Sequence, residues 1–203
     1  VQTREPEPAD GATDVDPDAT LNWRAGRGAA SHDVYFGTDV NDLVLADSVT
    51  EASFSPDALD FGTTYYWRVD EVGEELWAGE LWSFSTRAFE LIDGFEDYTD
   101  DIEAGEAIFD TWLDGWFNET GATVGYFNAP FAERTIVQSG SQSMPLQYDN
   151  TGSASYSEAQ RTFETAQDWT GNGADTLRLF VSGQAPAFLE TADGTILMNG
   201  IGT

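Results

Sequence analysis

The alternation of side chains in the run Thr64–Val72 constrains the fold of this chain more than any other feature. Its letters are TYYWRVDEV, and it is rich in β-branched and aromatic residues. Successive residues of a β-strand point to opposite faces, so Tyr65, Trp67 and Val69 would share one face of a sheet. That face is strongly apolar and needs a second layer of structure to cover it. The run therefore predicts a strand in a layered β-fold.

The rest of the chain also favours strands over helices. Short β-branched and aromatic runs lie between clusters of Gly, Asp, Asn and Pro, and only residues 100–109 have a short helix-like pattern. The first part has strand signals at the spacing of a β-sandwich, at residues 20–24, 32–37, 43–46, 51–54, 63–72 and 79–87. The second part has weaker signals, at a hairpin around residues 121–126 and at residues 141–150, 156–163 and 175–181. The predicted fold class is all-β.

Composition supports packed domains and excludes several kinds of partner. The 203 residues are 40% hydrophobic and 13% aromatic, which suits two small domains and argues against disorder. With 37 acidic and 8 basic residues, the net charge of −29 repels nucleic acid and favours divalent cations. No apolar run reaches the length of a membrane span, so we expect no membrane insertion. There is no cysteine and no lysine, which excludes disulfides, thiolate metal sites and Schiff-base chemistry.

The first part, residues 3–87, resembles fibronectin type III domains. The letters LDFGTTY at residues 59–65 form a turn into the long strand, with Tyr65 at the position of that family's tyrosine corner. Trp23 and Tyr35 lie where the family has core aromatics. Two segments match its first and last strands, residues 6–8 and 82–86. The resemblance implies a seven-stranded sandwich that acts as a spacer or a binding module.

The second part resembles the galactose-binding-like jelly rolls of many carbohydrate-binding modules, as in large secreted proteins of planctomycetes and related bacteria. The similarity lies in the order of an acidic opening, a Trp, and the segments QSMPLQYDN, SEAQRTF and DWT. It implies two tandem β-sandwiches, a fibronectin type III-like one at residues 1–88 and a jelly roll at residues 89–203. Residues 185–203 either add a last strand or begin a further domain, and we expect the jelly roll to be truncated.

Catalytic signals are weak. His32 is the only histidine, so a Ser-His-Asp triad has only one possible centre. Its position at the start of a predicted strand favours a surface residue. With 37 acidic residues, paired carboxylates for glycoside hydrolysis arise by chance and carry little information. We expect no enzymatic activity.

A calcium site is the first binding hypothesis. The nine residues 93–101 contain five carboxylates, although their spacing is not that of an EF-hand loop. Jelly-roll binding modules often hold a structural Ca²⁺ near the first strand, and the resemblance puts Glu96 and Asp97 at those early ligand positions. The alternative is a solvated acidic loop.

Sugar binding is the second hypothesis, because pyranose rings stack on aromatic side chains while polar groups bind their hydroxyls. The candidate residues in the second part are Trp116, Tyr126, Tyr148 and Tyr156. Trp116 is expected in an exposed loop, and the three tyrosines on strands that line a concave sheet. Packing in the core is the alternative for each. Trp112 and Trp169 are expected in the core, and Trp77 either in an exposed loop or plugging the domain junction.

Together these features predict an extracellular, non-catalytic carbohydrate-binding or adhesion segment of a larger secreted or cell-surface bacterial protein. Its partner would be a polysaccharide or cell-surface glycan. The alternative is a structural subunit of a cell-surface layer, stalk or extracellular filament. In that case its partners would be copies of itself or neighbouring domains, and an incomplete last sheet would accept a strand from a neighbour.

Overall fold

A computed structural model describes residues 2–183, 188–192 and 195–199. Strands far outnumber helices, and the expected all-β class is confirmed. The chain forms two compact units. The first unit comprises Val1–Glu90 and Asp168–Thr176, and the second comprises Leu91–Gln167 and Leu177–Thr203. The segment Asp168–Thr176 was expected in the second domain, but it groups with the first unit.

Two sheets build the first unit. The strands in chain order are β1 (Arg4–Glu7), β2 (Ala12–Val15), β3 (Leu21–Arg24), β4 (Ser31–Gly37), β5 (Val44–Val49), β6 (Ser53–Phe54), β7 (Thr64–Val72), β8 (Leu76–Trp77) and β9 (Leu81–Thr86). One sheet has the order β1-β3-β6, and the other has the order β2-β9-β7-β4-β5 with β8 paired to β7. The pairing of β2 with β9 is parallel, and the other pairings are antiparallel.

The alternation of β7 produces the core of the first unit. Tyr65, Trp67 and Val69 are all buried, as predicted, and they pack with buried residues of both sheets. Trp67 meets Trp82 edge-on, with ring centroids 4.8 Å apart. Burial of such large apolar side chains is the main favourable contribution to the stability of a small sandwich.

The expected core position of Tyr35 is wrong. Its neighbour Phe36 packs against the core and stacks on Tyr65 at 5.1 Å, whereas Tyr35 lies under the Arg68 guanidinium. Because side chains alternate along β4, a core-facing Val34 directs Tyr35 to the other face. A motif match that is one residue out of register exchanges the two faces of a strand.

Hydrogen bonds around the turn before β7 tie the segment Asp168–Thr176 to the first unit. The Tyr65 hydroxyl accepts a hydrogen bond from the Asp60 N–H at 2.9 Å. Asn172 donates from its amide to the Leu59 carbonyl and accepts from the Phe61 N–H, each at 2.9 Å. These backbone groups are more than a hundred residues from Asn172 along the chain, so local sequence patterns do not show the pairing.

The second unit has shorter elements. In chain order they are α1 (Ile108–Thr111), β10 (Trp112–Leu113), α2 (Gly115–Asn118), β11 (Ala122–Val124), β12 (Leu146–Tyr148), β13 (Gln160–Arg161), β14 (Phe188–Ala192) and β15 (Thr195–Asn199). The six strands among these elements pair antiparallel as three two-stranded sheets, β10-β13, β11-β12 and β14-β15. A jelly roll of about eight strands in two sheets is therefore not seen among the described residues of this unit.

Several local predictions for the second unit are wrong. The stretch 100–109 is mostly turns, because Asp101 accepts from the Ala104 N–H and Gly105 has φ 71°. The expected hairpin at residues 121–126 is one strand, β11, paired with the distant β12. Residues 175–181 form no described strand. In the tail, β14 and β15 pair with each other, and residues 184–187, 193–194 and 200–203 lie outside the described residues.

Candidate binding site

The most exposed aromatic side chain named in the sequence hypothesis lies on α2. Trp116 is 88% exposed, as expected, and it belongs to this short helix rather than to an irregular loop. The buried Asp114 caps the helix by accepting from the Trp116 N–H at 3.0 Å. Its second oxygen accepts from the Val124 N–H at 2.9 Å. The buried Asp114 carboxylate thus fixes the backbone that carries the exposed Trp116 indole.

The far end of α2 is equally constrained. Glu119 ends the helix in the left-handed region at φ 60°, and its N–H donates to the Gly115 carbonyl at 3.0 Å. A Cβ at Gly115 would lie only 2.1 Å from the Thr120 carbonyl oxygen, so this position requires glycine. The helix is therefore held tightly against the start of β11.

A polar strip adjoins α2. The Asn118 amide donates to the Glu158 carbonyl at 3.2 Å, and the Glu158 N–H donates to the Thr120 hydroxyl at 3.2 Å. The Gly121 N–H donates to the Tyr156 carbonyl at 2.9 Å. These bonds bring two distant segments together, and we call residues 115–121 and 156–158 the α2 platform. It carries Trp116, the exposed Phe117 and Tyr156, which is 56% exposed.

The structure brings Trp116 and Tyr156 onto one platform, and Tyr148 lies on the strand beside it, since the Asp149 N–H donates to the Gly121 carbonyl at 2.8 Å. Tyr156 lies in a loop and not on a strand, so its expected place in a concave sheet is wrong. Tyr148 lies on β12, 40% exposed. Tyr148 pairs across the β11-β12 ladder with the buried Ala122. Directly paired residues point to the same face, so the Tyr148 side chain lies on the face that Ala122 buries.

Tyr126 also misses its expected strand. Strand β11 ends at Val124, because the next residue, Gly125, has a positive φ of 80°. The Tyr126 hydroxyl donates to the Glu133 carboxylate. This bond raises the pKa of Tyr126. Glu133 accepts in turn from the Thr135 hydroxyl and backbone, which with the Tyr126 bond lower its pKa to about 2. The phenol of Tyr126 is thus engaged in a local network.

Of the two residues of the calcium hypothesis, Glu96 is engaged by donors of the protein, and Asp97 is exposed. Glu96 accepts from the N–H groups of Ser141 and Gln142, at 3.0 and 3.2 Å, and from the Ser141 hydroxyl, which lowers its pKa. These donors occupy the oxygens that a cation would need. Within the described ranges, no group of three or more acidic or histidine side chains is placed to hold a metal. Calcium binding stays a prediction.

His32 is not the surface residue that was expected. It is buried, and its Nδ1 lies 2.7 Å from an oxygen of the fully buried Glu71, its partner across the β4-β7 ladder. The other oxygen of Glu71 accepts from the Gly26 N–H at 2.7 Å, and Trp23 meets the imidazole edge-on. Both oxygens of Glu71 and the Nδ1 of His32 are thus hydrogen-bonded within the core.

Three other tryptophans had a predicted location; Trp169 lies elsewhere, and Trp77 is not in the loop that was one of its two predicted places. Trp112 is partly buried, and Trp77 lies on β8, also partly buried, rather than in a loop. Trp169 was expected in the core but is 46% exposed.

Sequence reasoning missed a carboxylate of the second unit that joins distant segments, Asp93. Asp93 Oδ2 accepts from the Tyr98 hydroxyl at 2.7 Å, from the Trp112 Nε1–H at 2.8 Å and from the Arg161 guanidinium. Its Oδ1 accepts from the Phe95 N–H at 2.8 Å. Burial, and then the bond to Asp93, raise the pKa of Tyr98 to about 12. The acidic run 93–101 pointed to this region, but not to the donors 5, 19 and 68 residues away.

Comparison with protein-family models, with curated proteins and with solved structures found no match for this chain. In the part of the chain that the structure describes, none of the helices is long and apolar enough to cross a membrane.

Proposed function

We propose that this chain is an extracellular, non-catalytic carbohydrate-binding segment, and that the α2 platform is its binding surface. The observation that carries the proposal is the 88% exposure of Trp116 on a backbone fixed by the buried Asp114. An exposed indole on a preorganised support loses little conformational freedom when a ligand stacks on it. The apolar C–H face of a pyranose ring is such a ligand.

The surroundings of Trp116 fit a sugar better than an apolar ligand. Glu119 and Glu158 present exposed carboxylates on the platform, beside Asn118, Thr120 and Ser157, whose side chains bond within the protein. A sugar hydroxyl both donates and accepts hydrogen bonds and so suits this mixture. The net charge of −29 disfavours anionic polysaccharides. The ligand is therefore proposed to be a neutral glycan.

Affinity electrophoresis tests this proposal. The chain is run in native gels that contain neutral polysaccharides, with Trp116→Ala beside it and Phe127→Ala as the matched control. Phe127 is 83% exposed in the same unit but lies outside the platform. Loss of a central aromatic contact costs about 2 kcal/mol, or about 30-fold in affinity. Retardation that survives Trp116→Ala, or that no polysaccharide produces, would contradict the proposal.

One observation favours the second candidate, a structural subunit of a surface layer, stalk or filament. Four large apolar side chains are exposed in the segment that follows Thr176, namely Leu177, Leu179, Phe180 and Val181. An apolar segment outside the described strands is suited to pairing with a neighbouring strand. Light scattering over a range of protein concentrations tests it. Assembly that Leu179→Asp abolishes would support this function, and a monomer at all concentrations would exclude it.

A further inference from the structure

A cavity of about 230 Å³ lies in the second unit and adjoins Asp93. We call Asp93 and the side chains that donate to it, Tyr98, Trp112 and Arg161, the Asp93 cluster. Its lining combines charged, hydroxyl and aliphatic groups, from Leu91, Ile92, Asp93, Gly94, Asp97, Tyr98, Thr111 and Arg161. Pockets for drug-sized ligands are larger, roughly 300–1,000 Å³. We propose that this cavity binds one neutral, hydroxyl-rich ring, such as a single hexopyranose unit. It is a second binding site, made of residues other than those of the α2 platform.

Arg161 is held as a fixed donor in the lining. Its Nη1 donates to the Ile92 carbonyl at 3.2 Å and to Asp93, and its guanidinium carbon lies 4.6 Å from the centroid of the Phe163 ring. A guanidinium has five N–H donors. The contacts with Asp93, Ile92 and Phe163 fix its plane and leave further N–H groups for a ligand oxygen.

Asp97 supplies the complementary acceptor. All the hydrogen bonds to Asp93 come from the protein itself, so this carboxylate positions Arg161 and Tyr98 rather than binding a ligand. The carboxylate of Asp97 is exposed and takes no hydrogen bond from the residues that the structure describes. A fixed donor and an unpaired acceptor in one small cavity match neighbouring hydroxyls of a sugar, which donate and accept together.

The charges of the cavity select a neutral ligand. Asp93 and Asp97 carry two negative charges and Arg161 carries one positive charge, so the lining retains a net negative charge. This net negative charge disfavours an anionic sugar. A bare cation has no acceptor oxygen for the Arg161 donors, whereas a neutral sugar has several. The aliphatic side chains of Leu91 and Ile92 provide the apolar contact that a ring's C–H face needs.

Amide NMR titration of the whole chain tests the site. The probes are the methyl glycosides of glucose, galactose and mannose, with methyl glucuronide as the anionic comparison. We expect at least one neutral glycoside to shift the amides of Gly94, Asp97 and Thr111 in a saturable way, and glucuronide to bind at least tenfold more weakly. Absence of saturable shifts at these amides with every neutral glycoside, or equal binding of glucuronide, would overturn the proposal.

Two variants sharpen the test. Asp97→Ala removes the acceptor without touching the Asp93 cluster, and we expect about a tenfold loss of affinity for the neutral glycoside. Glu103→Ala is the matched control, an exposed acid outside the lining, and should leave affinity unchanged. Unchanged affinity in Asp97→Ala would count against the site. Trp116→Ala separates the two proposals, because it abolishes platform binding while the Gly94 and Thr111 shifts persist.

Discussion

The two units of this chain are ordered by different interactions. Among the residues whose burial the structure describes, the first unit has two sheets around a cluster of nine buried apolar residues, whereas the corresponding cluster of the second unit has four. In the second unit this smaller cluster is accompanied by carboxylates that each accept four hydrogen bonds, such as Asp93 and Glu133, and by the buried Asp114, which accepts two. Some of its aromatic side chains, such as Trp116 and Phe127, are exposed at the surface, where they can meet a ligand. The proposed glycan-binding surface lies in the second unit.

The largest expected effect is on the core of the first unit. Trp67→Ala removes a fully buried ring that packs on Trp82, and we expect a loss of about 3–5 kcal/mol in the free energy of unfolding. Guanidinium unfolding followed by circular dichroism measures it. The matched change Trp116→Ala removes an exposed ring and should change that free energy by less than about 0.5 kcal/mol. Similar losses for both variants would break the comparison between the units.

A smaller effect is expected from the polar anchor of α2. Asp114→Ala leaves the Trp116 and Val124 N–H groups without their acceptor, and we expect a loss of about 1–3 kcal/mol in the stability of the second unit. Hydrogen exchange at these two amides measures it locally, and Asp114→Asn, which keeps one acceptor oxygen, is the control. Slow exchange at both amides in Asp114→Ala would mean that burial, not the anchor, holds the helix.

The smallest effect is on pH dependence. The pKa of Glu133 is lowered from 4.5 to about 2, chiefly by the Thr135 hydroxyl and the Tyr126 phenol. A carboxyl with a lowered folded-state pKa adds stability that is complete above its unfolded-state pKa and is lost as the pH falls towards 2. We expect Glu133→Gln to remove part of the acid sensitivity between about pH 4.5 and 2.

Acid unfolding curves of the wild type and of Glu133→Gln measure this contribution. Glu103→Gln serves as a control at an exposed acid. Identical curves for wild type and Glu133→Gln would show that the network around Tyr126 does not stabilise the folded state.

The sequence predicted the first unit better than the second, for a physical reason. In a strand, alternating apolar and polar residues show which side chains face the core. The run Thr64–Val72 therefore predicted both strand β7 and the burial of Trp67. The pairing of His32 with Glu71 was missed because it needs the register between two strands, which single-strand patterns do not contain.

In the second unit the elements are too short for periodicity to identify them. Helix α2 has four residues, and its cap Asp114 also serves β11, ten residues away. The exposure of Trp116 was predictable from its Gly- and Asn-bearing surroundings. The Asp93 cluster was not, because Trp112 and Arg161 reach it from distant segments.

The most direct test of the central claim is calorimetric titration of the chain with a neutral oligosaccharide from a polysaccharide that retards it in native gels. The account predicts saturable binding by the wild type and by Phe127→Ala. It predicts about 30-fold weaker binding by Trp116→Ala, with unchanged circular dichroism. Equal affinities in all three proteins, or no binding heat with any neutral oligosaccharide, would contradict the claim that Trp116 and its platform bind a glycan.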